Sequence, residues 1–149
     1  MKKTAVLFFI LLSVLTLSAQ DKSGSDSSIE LYNREYDLIL KCDFDGEGMT
    51  VPSHDFYGLL PGYLGKTKNN FYWLILSVEK KGDINYLQMV NDYGSEDLTA
   101  TLFQASDSTF LFTQRKGSTI KLPEKRKWQK LPKSLLFKKG TNQNKQQQE

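Results

Sequence analysis

A chain of 149 residues with 39% hydrophobic residues can bury one core but not two. Its single cysteine, Cys42, excludes an internal disulfide and a thiolate metal cluster, and its single histidine, His54, leaves no paired-histidine spacing for zinc. The net charge of +3 is too small, and too unevenly placed, to mark a nucleic-acid-binding domain, and no recognition motif accompanies it.

Lys2 and Lys3 precede an unbroken apolar run from Ala5 to Leu12, and Ser18 and Ala19 close the segment with small residues. A basic start, an apolar centre and a small-residue exit predict a signal peptide over residues 1–19. The protein is therefore expected to be exported, periplasmic or secreted, in a bacterial envelope setting. A retained anchor is the competing reading. Ala5 to Leu17 makes about 20 Å of helix at about 1.5 Å per residue, short of the roughly 30 Å hydrocarbon core. Cleavage after Ser18, Ala19 or Gln20 is open, and no cysteine stands at the junction to carry a lipid.

Without Lys2 and Lys3 the rest of the chain is nearly neutral but segregated. Residues 21–114 hold seven Lys/Arg and fifteen Asp/Glu, whereas residues 115–139 hold ten Lys/Arg and only Glu124 as an acid. Lysines on the solvent face or edge of late strands explain this block, since they discourage strand-to-strand aggregation. A basic surface for an anionic partner explains it too.

Residues 20–28 are polar and Gly/Ser-rich and read as a flexible spacer. Residues 29–139 read as one β domain. Its first stretch, Ser27 to Arg34, either opens a short capped helix or runs extended. Tyr36 to Phe44 alternates apolar and polar residues and predicts a strand. Asp45-Gly46-Glu47-Gly48 predicts a hairpin turn, with Met49 to Val51 as the return strand ended by Pro52. Phe56 to Gly65 combines glycines, a proline and large apolar residues, and reads as a turn or bulge where glycine permits close backbone approach. Phe71 to Lys80 is apolar on both faces at its start and predicts the most buried strand.

Strands are then expected at Ile84–Asn91, Leu98–Ala105, Thr109–Arg115 and Ser118–Leu122, each joined by a short turn-rich link. Pro123 is expected to end the last of these. One or two closing strands carry Trp128, Leu131 and Leu135 to Phe137, with Pro132 turning the chain or lying on an edge. Residues 140–149 contain no apolar side chain and read as a disordered polar tail.

The sum is an all-β protein: an antiparallel meander of about eight strands, curled into a small barrel or half-barrel. No helix-period segment is long enough for a βαβ crossover. In outline this resembles the small exported meander barrels that include the lipocalin-like proteins. The resemblance is architectural. The Gly-x-Trp motif of lipocalins has no match at Gly62-Tyr63, and no ligand site is carried over.

Chemistry-bearing residues are few. Asp43, Asp45 and Glu47 with Gly48 mimic the start of a calcium loop, but His54 stands where a bidentate glutamate is needed and Pro52 interrupts the loop. A solvated Asp-Gly turn is the simpler reading, and no metal or cofactor is expected. His54 with Asp55 and either Cys42 or Ser53 could suggest nucleophilic catalysis. The expected hairpin puts His54 about 10 Å from Cys42, beyond hydrogen-bond reach. Asp92, Glu96 and Asp97 crowd the loop Asn91 to Asp97, where a solvated turn with Gly94 left-handed is the plainer account.

The functional expectation is a non-catalytic, monomeric domain that binds a small ligand or a protein partner. Tyr63, Trp73, Tyr86 and Tyr93 are the candidate ligand-binding aromatics. The alternative is an envelope-associated interaction protein that meets an anionic surface through Lys125, Arg126, Lys127 and Lys130, interleaved with Trp128. A hydrolase using loop carboxylates stands third, and nucleic acid is not an expected partner.

Overall fold

The computed structural model describes residues 27–140. The expected signal peptide, residues 20–26 of the spacer and residues 141–149 of the tail lie outside the described residues. Period-two alternation produces ten strands: β1 (Ser28–Asn33), β2 (Leu38–Asp43), β3 (Gly62–Lys66), β4 (Tyr72–Lys81), β5 (Ile84–Asn91), β6 (Asp97–Gln104), β7 (Thr109–Gly117), β8 (Lys121–Glu124), β9 (Lys127–Lys130) and β10 (Ser134–Lys139). Eight of them close an antiparallel barrel in the order β1-β10-β7-β6-β5-β4-β3-β2. β8 and β9 form a separate hairpin between β7 and β10. The fold is thus the expected all-β meander, closed into a full barrel and consistent with a small lipocalin-like architecture.

Closure removes both sheet edges, leaving the inward face of every strand to fill one volume. Trp73, Phe112 and Phe137 are the largest fully buried side chains, and Leu31, Leu40, Leu64, Ile75, Leu87 and Met89 pack around them. Each such burial contributes about 1.5–3 kcal/mol. Cys42 joins this interior, and burial pushes its thiol up to about 12, so it stays protonated and inert at neutral pH. A β-bulge between Ile75 and Ser77 resets the alternation of β4. Trp73 and Ile75 face inward before it; Val78 and Lys80 do so after it, opposite Leu87 and Asn85 of β5.

Of the two readings of Ser27 to Arg34 the extended one holds, because Ser28–Asn33 pairs along its length with β2. Four local expectations are corrected. β4 is exposed over most of its second half, so β3, buried throughout, is the most buried strand. Asp45 to Gly48 does not close a hairpin: β2 pairs instead with β3, and Met49 makes only an isolated bridge to Leu60. Residues 44–61 are therefore a long excursion. Apolar Val51, Met49 and Leu60 draw it onto the outer face of the barrel, over Tyr63, Tyr72 and Leu74. Of the expected strand Ser118–Leu122, only Lys121 onward is β. Pro123 lies inside β8 rather than ending it, which a two-stranded hairpin with free outer edges allows.

Close approach at Gly62 is required, as the glycines of Phe56 to Gly65 suggested. A Cβ there would sit 2.0 Å from the Lys41 carbonyl oxygen and 2.9 Å from the Cys42 Cα, both backbone atoms of β2. Gly62→Ala is expected to force β2 and β3 apart and cost about 2–3 kcal/mol, measured by equilibrium urea unfolding.

Candidate functional site

One end of the barrel is closed by the β8–β9 hairpin. Ile120, Leu122 and Leu131, at and beside its strands, are buried in the core and plug the opening. Two interior side chains fix its base. The indole Nε1 of Trp73 donates to the Lys121 carbonyl at 3.2 Å. The buried amide of Gln114 works in both directions: its Nε2 donates to the Pro132 carbonyl at 2.8 Å, and its Oε1 accepts from the Ile120 amide at 2.8 Å. Each polar group of that amide is therefore satisfied inside the protein.

The hairpin carries the basic residues, three of them at its tip and Lys130 at its base. Lys125 and Arg126 turn the chain with φ of +45° and +68°, the left-handed pair that a two-residue hairpin demands. Asn-Gly is the usual choice at such a turn, and two bulky side chains there are strained. Lys125, Arg126, Lys127 and Lys130 are all exposed. Among the described residues none of the four is in an ion pair, whereas the neighbouring Lys66–Glu124 and Lys121–Glu96 pairs are formed. The ammonium of largely buried Lys66, hydrogen-bonded to Glu124, holds that carboxyl below its ordinary value.

Beside the tip lies a row of aromatic rings. Phe71 is buried between Tyr93 and Trp128, edge-on to both, with centroids 5.2 and 5.1 Å away. Tyr93 is 73% and Trp128 53% exposed. The row continues across Asp92 to the excursion 44–61. The Tyr57 hydroxyl donates to the Asp92 carbonyl, and Phe56 packs on Tyr57 at 4.2 Å. His54 pins this segment. Its Nε2 lies 2.6 Å from the Asp92 carboxylate and its Nδ1 2.9 Å from the Pro52 carbonyl. Both ring nitrogens are thereby engaged within the protein. The ring also stacks on Tyr57 and meets Tyr72 edge-on.

The four candidate ligand aromatics are not brought together. Trp73 is inside the barrel, and Tyr63 is buried on the outer face beneath the excursion. Tyr86 is half-exposed with the Lys81 ammonium over its ring, and only Tyr93 belongs to the aromatic row. The four basic candidates do share the β8–β9 hairpin. His54 and Cys42 are separated by the barrel wall. The Asp43 carboxylate accepts from the Gly46 and Gly48 amides at 2.8 and 3.1 Å and from the Ser27 hydroxyl. These bonds, that from Ser27 first, hold it below the usual carboxyl range. The acids of the 91–97 loop diverge: Asp92 pairs with His54 and Glu96 with Lys121. Asn91 organises that loop by accepting from the Ser95 and Glu96 amides, and Gly94 is left-handed as expected. Set against known proteins, the chain matches no family model, no curated sequence and no solved structure.

Two surface clefts flank the barrel ends among the described residues. One of about 560 Å³ lies beside the hairpin base, between Tyr36, Arg115, Gly117 and Lys130 to Lys133. The other, about 500 Å³, lies at the opposite end of the barrel. Neither is lined by the four candidate aromatics. Sequence reasoning missed the pairing of His54 with Asp92, the role of Gln114 and the position of Phe71. Only His54, unique in the chain, carried any signal.

If the His54–Asp92 contact holds the excursion down, His54→Gln is expected to accelerate amide exchange within residues 44–61 and leave the strands β5 to β7 protected. Asp92→Asn is expected to do the same, with no further acceleration in the double variant. The Glu124 carboxylate adds stability above its ordinary value of 4.5, and that stability is lost as pH falls through its lowered value in the folded protein. Glu124→Gln removes this dependence. From about pH 6 to about pH 3 the wild type is expected to lose more stability than the variant, read from urea midpoints.

Proposed function

We propose that this chain is an exported, non-catalytic binding domain that meets an anionic lipid surface with the hairpin-capped end of its barrel. The observation that carries the reading is the clustering at that end. Four basic side chains, none in an ion pair among the described residues, share one hairpin next to the exposed rings of Tyr93 and Trp128. Trp and Tyr favour the boundary between water and hydrocarbon, and Lys and Arg favour anionic headgroups. Strain at Lys125 and Arg126 supports the same reading, because glycine or asparagine would relieve the turn at the expense of its charge. A basic, apolar leader at residues 1–19 supports export, and the envelope offers such a surface.

The plugged, side-chain-filled interior also favours a surface role over enclosure of a large ligand. Charge reversal at Lys125, Arg126 and Lys127 is expected to abolish binding to vesicles containing phosphatidylglycerol. At about 1 kcal/mol per basic residue near the surface, the loss is at least about a hundredfold. Trp128→Ala is expected to weaken binding less and to leave its salt dependence intact. Co-sedimentation at low and high salt, against neutral phosphatidylcholine vesicles, reads both effects. Equal binding to neutral vesicles, or full binding by the charge-reversed variant, overturns the proposal.

A further inference from the structure

Among the described residues, no hairpin crosses the end of the barrel opposite β8 and β9. There the strands β1, β2, β4, β5, β6, β7 and β10 start or finish around the cleft of about 500 Å³. Register fixes which side chains face into it. Asn85 stands opposite Lys80 on one side and Leu102, a core residue, on the other. Gln104 stands opposite Phe110, and Phe110 opposite Phe137, which is also core. Phe110 thus belongs to the last core layer and forms the floor of the cleft, and Asn85 and Gln104 continue the inward-facing rows of their strands at its level and beyond. Ile29 and Phe44 complete an apolar wall in the same cleft.

One buried polar atom at this mouth is left unsatisfied. The Oδ1 of Asn85 is buried and has no hydrogen-bond partner among the described residues. A buried acceptor without a donor is costly, and native proteins rarely leave one so. Lys80 and Lys139 line the same cleft, and among the described residues neither is in an ion pair; the Lys139 ammonium instead lies 5.9 Å from the Phe110 ring centre. Asp45, Asp83 and Asp107 also line the cleft, so its rim carries both signs of charge.

We propose that this mouth is a binding site for a small ring-bearing carboxylate that carries an O–H or N–H donor. The ring lies against Phe44 and Phe110, the carboxylate meets Lys80 and Lys139, and rotation of the Asn85 amide brings its Oδ1 into the cleft to meet the donor. The three rim aspartates set a size limit, because a second anionic group on the ligand would face them. This site is at the far end of the molecule from the lipid-facing surface and stands or falls separately from it.

Titration of the full domain followed by amide NMR tests the assignment with three probes. 4-Hydroxybenzoate has ring, donor and carboxylate; benzoate lacks the donor; phenol lacks the carboxylate. 4-Hydroxybenzoate is expected to give saturable shifts confined to the strand ends around Phe44, Asn85 and Phe110. Benzoate and phenol are expected to bind at least tenfold more weakly. Asn85→Leu is expected to remove the preference for 4-hydroxybenzoate over benzoate, and Lys80→Ala with Lys139→Ala the preference over phenol. Thermal unfolding checks that each variant is folded, and Asn85→Leu, relieved of its unpaired acceptor, is expected to melt no lower than the wild type. Absence of saturable shifts at the mouth, equal affinity for all three probes, or selectivity unchanged in the variants overturns the proposal.

Discussion

Two hydrogen-bonding side chains inside the barrel, Trp73 and Gln114, govern how this molecule presents itself. A closed eight-stranded barrel has two open ends, and apolar side chains at either end need cover. Here the chain leaves β7, crosses one opening as the β8–β9 hairpin and returns as β10. The Trp73 indole and the Gln114 amide hold that detour from within by offering partners to backbone groups at Lys121, Ile120 and Pro132. Without those partners the detour would bury unpaired amides and carbonyls, at a cost of about 1–3 kcal/mol each. With them, the hairpin carries Leu122 into the core and its basic tip out to solvent.

The same end is shaped from outside by the excursion 44–61. It leaves β2 at the mouth end and runs along the barrel wall to reach Asp92 at the hairpin end. Its route follows an apolar stripe on the outer face, where Tyr63, Tyr72 and Leu74 would otherwise be wet. His54 fastens it there. The unique histidine is thereby a structural clamp between two loops, and the aromatic rings Phe56 and Tyr57 are carried along with it to the surface row that Tyr93 and Trp128 continue.

The two ends of the barrel consequently differ in chemistry. The plugged end is aromatic and basic, suited to an anionic surface. The open mouth is concave, with apolar walls, a buried amide oxygen lacking a partner among the described residues, and charges of both signs. That combination suits a small molecule. Neither character belongs to a single motif. Lys125 to Lys130 are contiguous in the chain, so their clustering is legible from the order of residues alone, as is the basic block that contains them. Phe71, Tyr93 and Trp128 come from three separate connections, and Asn85, Lys80 and Phe110 from three strands. Their meeting depends on register, which a bulge of one residue between Ile75 and Ser77 is enough to reverse.

Alternation of apolar and polar residues, with turn residues at short intervals, determined that the chain would be an antiparallel meander of about eight strands; the apolar start of β4 marked a buried stretch, though β3 is the strand buried throughout. Those features are local: period two sets a strand's faces, and a short link sets its neighbour. The lone Cys42 and the separation of acidic from basic stretches were equally plain. Tertiary structure alone decided that β2 pairs with β3 across a long excursion, that β8 and β9 leave the barrel to plug it, that Trp73 is core rather than contact surface, and that His54 answers to Asp92. Each of these turns on which distant apolar surfaces bury one another and which buried polar atoms find partners. Such choices are made by the whole closed barrel, and no window of sequence contains both halves of them.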